Sequence, residues 1–174
     1  MRIALVIVIL LIAVIMDLSF RKIKNGLIIA GLAAGICVWV PFASVESGKD
    51  LLAGVILPIL ICWIPFLMHA LGAGDIKLFS VIGCLYGGRD VVYCIGFSFL
   101  IAAGFSLAKL LKDRKLWTSL INCFRYFQQI FTKGKITPYS GRKEPDHLIH
   151  FSVAILLGFV VLMGVKYCKI APLY

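Results

Sequence analysis

Two carboxylates stand apart from the other acidic residues of this chain. Asp17 ends a long apolar run, and Asp75 closes the motif Gly72-Ala-Gly-Asp75 directly before another apolar run. Two carboxylates that face each other cannot both ionise at low cost, so they share a proton and titrate as a pair. The ionised member can take a proton from water while the protonated member donates one to a developing oxyanion. The pattern predicts activation of water for attack on a peptide carbonyl.

The glycines of the motif give Asp75 its setting. Gly72 and Gly74 have no Cβ, so this turn can adopt φ > 0 and let another backbone, such as an extended substrate, come close. At a helix start, Asp75 gains from the positive end of the helix dipole, which favours its ionised form. Asp17, near the end of its own helix and beside apolar surface, is pushed towards the protonated form. We expect Asp75 to act first as the base and Asp17 as the acid, with roles that are exchangeable.

The elements that position these acids are apolar segments. Of 174 residues, 61% are hydrophobic and 15% charged, and the mean hydropathy of +1.02 exceeds that of a water-soluble domain. Six apolar segments cover residues 3–20, 26–43, 51–71, 76–87, 91–111 and 148–165. At about 20 residues per crossing, they leave no room for a separate soluble catalytic domain. We expect one all-α membrane-embedded domain over 1–174, with about six transmembrane helices and the first segment retained rather than cleaved.

The fourth segment is the shortest of the six. We expect it to start near Asp75 with Lys77 reaching to the interface, and to end at the turn of Gly87 and Gly88. Gly31 and Gly35, like Gly83 and Gly87, have the spacing that lets helices approach closely.

The net charge of +10 indicates the orientation. With both termini outside, thirteen of the 18 Lys and Arg residues fall in inner connections, as the positive-inside rule requires, and both acids lie near the cytoplasmic face. The longest connection, 112–146, is basic, and apolar residues recur through 112–135 at spacings of three and four. It predicts an amphipathic helix on anionic inner-leaflet lipid or on the protein's own cytoplasmic face. Basic residues spread over connections do not favour nucleic-acid binding.

Each candidate site residue also has a purely structural interpretation. Asp17 can pair with Arg21, four residues on, and Asp75 can cap a helix. Lys77 is explained better by reaching to the interface than by substrate contact, and Asn25 better by capping the second helix.

Neither a metal nor another cofactor is expected. The six cysteines contain no C-x-x-C pair. Asp146, His147 and His150 cluster in sequence, but no further ligand is evident nearby.

Three blocks of the chain resemble those of type IV prepilin peptidases, membrane aspartyl proteases related to archaeal preflagellin peptidases and more distantly to presenilins. The blocks are Asp17 with Arg21-Lys-Ile-Lys-Asn25, Gly72-Ala-Gly-Asp75-Ile-Lys77, and the segment from Ile149 to Gly158. The resemblance implies an endopeptidase that removes the short basic leader of prepilin-like proteins at the cytoplasmic side of the cell membrane. It also implies that Asp17 and Asp75 are the catalytic residues. Candidates for a supporting role are Arg21, Asn25 and Lys77.

The chain departs from the family pattern in two places and lacks one of its modules. Lys24 and His150 stand where the family commonly has proline, which affects the exit angle of the first helix rather than the carboxylates. Members that also methylate the new N-terminus carry an inserted domain with paired cysteines, which this chain lacks. The resemblance is therefore to the short, peptidase-only branch of tight-adherence pilus systems.

Two other function classes remain open at this stage. A small proton-coupled transporter would use intramembrane acids to bind ions, and it predicts paired symmetric halves. A noncatalytic membrane subunit of a pilus or secretion machine would not need the two aspartates. Replacing each aspartate separates these alternatives.

Overall fold

The computed structural model describes residues 2–20, 23–39, 45–68, 70–112 and 151–170. All the regular structure in these ranges is helical: α1 (Arg2–Phe20), α2 (Asn25–Trp39), α3 (Val45–Leu67), α4 (Ala73–Tyr86), α5 (Gly88–Lys112) and α6 (Phe151–Ile170). The predicted all-α fold is confirmed for this part of the chain. The predicted amphipathic helix of the 112–146 connection lies outside the described residues.

Among the described residues, four helices are long and apolar enough to cross a membrane. The candidate spans are Arg2–Phe20, Gly48–Leu67, Gly88–Lys109 and Phe151–Cys168. Helices suit this environment because all their backbone hydrogen bonds are internal. The shorter α2 and α4 do not reach the length of these spans, so the predicted count of about six crossings stays a prediction.

The fourth helix, α4, is enclosed by the rest of the bundle. Its 14 residues extend about 21 Å, shorter than the roughly 30 Å hydrocarbon core of a bilayer. Eight consecutive residues, from Leu78 to Leu85, are buried. The other five described helices all contact it. Protein rather than lipid therefore surrounds most of α4.

Glycines allow the closest of these contacts. Gly54 of α3 and Gly83 of α4 meet backbone to backbone, so that a Cβ built on either would collide with the main chain of the other. Gly31 and Gly35 of α2 also face α4, where a Cβ would lie only 2.7 and 2.6 Å from its side chains. The predicted role of small residues in helix packing is confirmed at these positions.

The end of α4 is a tight turn, as expected. The amide of Gly87 donates to the Gly83 carbonyl at 2.7 Å, and its φ of +91° lies in the region that favours glycine. Helix α5 begins at the next residue, Gly88.

Several other boundaries differ from the sequence segments. Helix α3 begins at Val45 rather than 51 and ends at Leu67 rather than 71, and α6 continues to Ile170 rather than 165. Hydropathy marks the apolar part of a helix, whereas the start of α3 and the end of α6 continue through flanking polar residues. The end of α3 lies inside its apolar segment, where the Ala70 amide donates to the Pro65 carbonyl at 3.0 Å instead of continuing the helical pattern.

Candidate active site

Asp75 lies in the first turn of α4, outside the four candidate spans. The N–H of Gly72 donates to Asp75 Oδ2 at 3.3 Å, so the carboxyl group caps the helix from its third position. The capping interpretation is confirmed, and it is compatible with a chemical role because this contact engages only one carboxyl oxygen.

The glycines of the motif act differently from the prediction. Gly87 is the glycine with positive φ among the described residues, and Gly72 has extended backbone with φ of −81° and ψ of 149°. The expected φ > 0 turn is wrong because the chain enters α4 through an ordinary N-cap. Close approach does occur, since a Cβ on Gly74 would lie 3.2 Å from Ile23 Cδ1. The chain leading into α2 therefore packs against the start of α4.

Asp17 lies in the last turns of α1 and has a partner on another helix. The hydroxyl of Ser152 donates to Asp17 Oδ2 at 2.6 Å. Ser152 is the second residue of α6 and is fully buried. This hydrogen bond links the end of α1 to the start of α6. The site therefore includes Ser152, which the sequence analysis did not select as a functional residue, although it lies within the third family-like block.

The two aspartates interact electrostatically. Burial raises the pKa of the Asp75 carboxyl to about 7; the Gly72 amide opposes this rise, and the negative charge of Asp17 adds to it. At neutral pH Asp75 therefore retains its proton far more readily than an exposed aspartate does. The raised pKa of Asp75 favours this residue as the acid, the reverse of the expected assignment.

The supporting candidates lie at the same end of the bundle. Lys77 Nζ donates to Asn25 Oδ1 at 2.9 Å, which ties the first turns of α4 and α2 together. Both side chains are exposed. This hydrogen bond gives the two residues a structural role and agrees with Lys77 reaching out of the bundle. Arg21 lies outside the described residues, as do Asp146, His147 and His150.

The arrangement brings together residues far apart in sequence. The end of α1 and the first turns of α2, α4 and α6 meet at one end of the molecule, linked by the Asp17 to Ser152 and Lys77 to Asn25 hydrogen bonds. A coupled pair of carboxyl groups in such a setting can activate water and protonate a carbonyl.

Comparison with known proteins agrees with this chemistry. No curated protein and no solved structure matches the chain. A family model described as the type IV leader peptidase family matches residues 4–107, which include both aspartates, Gly72, Gly74, Asn25 and Lys77. Because the match covers more than half of the chain, this protein belongs to the type IV leader peptidase family, with the leader-peptidase-like protease activity that membership implies.

Proposed function

We propose that the protein is an aspartic endopeptidase that removes the short basic leader of prepilin-like proteins, with Asp17 and Asp75 as its catalytic pair. The observation that carries this proposal is the electrostatic coupling of the two carboxyl groups, one raised in pKa and the other held by a buried hydroxyl. Membership of the leader peptidase family supports the same reaction class.

The pair supplies a balanced route for hydrolysis. Ionised Asp17 takes a proton from water as the water oxygen bonds to the scissile carbonyl carbon, and Asp75 donates its proton to the carbonyl oxygen. In the second step the C–N bond breaks, the amine leaves with the proton held by Asp17, and the proton on the former carbonyl oxygen returns to Asp75. The enzyme thus regains its starting protonation state, and no metal is required.

The membrane arrangement is part of the proposal. We infer about six crossings with both termini outside, so that the catalytic pair faces the cytoplasm, where the basic leader of a prepilin would be. The substrate's apolar helix would pack laterally against the bundle, and the basic connection 112–146 would bind anionic inner-leaflet lipid. Gly72 and Gly74 would form the backbone of the site, with Arg21, Asn25 and Lys77 in support. The branch that the chain resembles implies cleavage without N-methylation.

The test is cleavage of a co-expressed prepilin by wild type, Asp17→Asn and Asp75→Asn. Glu46→Gln serves as the control, because it also neutralises one carboxylate but lies in the first turn of α3, at the other end of the bundle. We expect either aspartate replacement to lower the cleavage rate by about 10³-fold or more, while the control retains wild-type activity. Mass spectrometry of the product would show a new N-terminus that is free and unmethylated.

Three results would contradict the proposal. Cleavage by either single-aspartate variant would mean that the carboxyl pair is not catalytic, as expected for a noncatalytic subunit. Proton flux in vesicles that depends on both aspartates, without cleavage by the wild type, would support the transporter. A methylated product would refute the peptidase-only assignment.

A further inference from the structure

A second polar region lies at the end of the bundle opposite to Asp75. Here the C-terminal ends of α4 and α6 meet the N-terminal parts of α3 and α5 around a cavity of about 550 Å³. We call it the distal cavity, and its charged lining residues are Asp50, Arg89, Asp90 and Lys166. Its volume falls within the range of small-ligand sites, about 300–1,000 Å³. The proposed peptidase reaction uses none of these residues.

The charges of the distal cavity balance but do not all pair. Lys166 forms an ion pair with Asp90 and lies over the ring of Tyr86, 5.9 Å from its centroid. Asp50 and Arg89 line the same cavity, yet in the described part of the chain neither makes an ion pair or a side-chain hydrogen bond. Both side chains are exposed, and an acid and a base without protein partners can together bind a ligand with one positive and one negative group.

A tyrosine hydroxyl also lacks a partner. Tyr86 packs edge-on against Phe159, with ring centroids 5.3 Å apart, and its hydroxyl oxygen is buried without a hydrogen-bond partner among the described residues. Buried tyrosine hydroxyls usually have a partner. Because Tyr86 lines the distal cavity, a ligand that displaces the side chains covering this oxygen would supply a donor.

The rest of the lining is apolar, and here the cavity opens towards the side of the bundle. Phe97, Leu162 and Val165 form this part of the wall, between α5 and α6. Tyr93 and Val165 are exposed, so the cavity continues onto the outer surface of two candidate membrane spans. A ligand with a polar head and a hydrocarbon chain matches this change from a charged rim to an apolar wall.

We propose that the distal cavity binds one zwitterionic phospholipid whose headgroup carries a primary ammonium, as in phosphatidylethanolamine. Arg89 would bind the phosphate, and Asp50 and the Tyr86 hydroxyl would accept hydrogen bonds from the ammonium. An acyl chain would lie along Phe97 and Leu162. A quaternary ammonium has no N–H to donate, which disfavours phosphatidylcholine. The equal numbers of acidic and basic lining residues disfavour an anionic lipid such as phosphatidylglycerol.

The test is native mass spectrometry of the purified full-length protein, titrated separately with phosphatidylethanolamine, phosphatidylcholine, phosphatidylglycerol and free phosphoethanolamine. We expect one phosphatidylethanolamine per chain, bound about tenfold more tightly than each of the other two lipids. Arg89→Gln and Asp50→Asn should each weaken its binding about tenfold, as expected for loss of a charge-assisted contact. Lys49→Gln is the matched control, because Lys49 is an exposed cation beside Asp50 that does not line the cavity.

Several outcomes would overturn this proposal. Equal binding of all three lipids, or binding that Arg89→Gln and Asp50→Asn leave unchanged, would mean that ordinary bilayer lipid fills the cavity without selection. Preference for phosphatidylglycerol would indicate an anion site. Binding of free phosphoethanolamine as tight as that of the lipid would indicate a soluble ligand. These results are independent of prepilin cleavage, which depends on the opposite end of the bundle.

Discussion

Removing the hydroxyl of Ser152 tests whether the proposed catalytic role of Asp17 depends on a hydrogen bond from a neighbouring helix. A hydrogen bond to a charged group contributes about 1.5–3 kcal/mol. The bond from Ser152 to Asp17 is 2.6 Å long and Ser152 is fully buried, so water would not readily replace the lost donor. If the bond persists in the transition state and is absent from the variant, Ser152→Ala should lower kcat/KM roughly 10- to 100-fold.

The assay is steady-state cleavage of a purified prepilin over a range of pH. Ser152→Thr keeps a hydroxyl and should restore much of the rate. Ser98→Ala is the matched control, because Ser98 is equally buried but donates to the Cys94 carbonyl of its own helix at 2.7 Å.

Two results would refute this reasoning. A Ser152→Ala enzyme within about threefold of wild-type kcat/KM would mean that the hydrogen bond does not support the reaction. An equal loss in Ser98→Ala would mean that loss of any buried hydroxyl in the bundle lowers the rate, through packing rather than through Asp17.

Four further predictions concern the pKa of Asp75, a close glycine contact and an exposed lysine. With the pKa of Asp75 raised to about 7, kcat/KM should fall as pH rises through that value, because the acid loses its proton; a rate unchanged to pH 9 would contradict this. The raised pKa also means that ionisation of Asp75 lowers the free energy of unfolding, by the full amount above pH 7 and hardly at all at pH 4. In thermal unfolding scans Asp75→Asn should therefore raise Tm at pH 8 and lose this advantage towards pH 4. Gly83→Ala should lower the free energy of unfolding by at least about 1–3 kcal/mol, because the new Cβ would collide with the Gly54 backbone. Gly96→Ala, which has open space around its Cβ, should be neutral or stabilising. Equal Tm values for the two variants would refute the close contact. Lys77→Gln should leave kcat/KM within about threefold of wild type in the cleavage assay, since Lys77 makes an exposed hydrogen bond to Asn25, and a larger loss would indicate substrate contact.

The overall helical plan was predictable because hydropathy reports the bulk property that a bilayer demands. Long apolar runs predicted α1, α3, α5 and α6, and the pattern Gly72-Ala-Gly-Asp75 located the start of α4. The common depth of Asp17 and Asp75 followed from the order of the segments and their charges. Family membership agrees with the reaction class inferred from the same motif.

The fine structure of the site was not predictable in the same way. Ser152 is 135 positions from Asp17 in sequence, and a serine at the start of an apolar helix gives no sign of its partner. The helix dipole suggested that Asp75 would be the ionised acid, but burial and the charge of Asp17 act in the opposite direction and outweigh it. Such effects depend on tertiary contacts rather than on local sequence.

The enclosure of α4 has a consequence for biogenesis. Transfer of an isolated helix of about 21 Å into lipid releases little free energy, and the polar first turn of α4 carries Asp75. Its eight buried residues acquire their neighbours only when the flanking helices are present, with Gly54 and Gly83 allowing the closest approach. Insertion into the bilayer should therefore deliver α3, α4 and α5 as a unit, and the carboxyl pair would come together only late in assembly, which delays proteolytic competence until the bundle is complete.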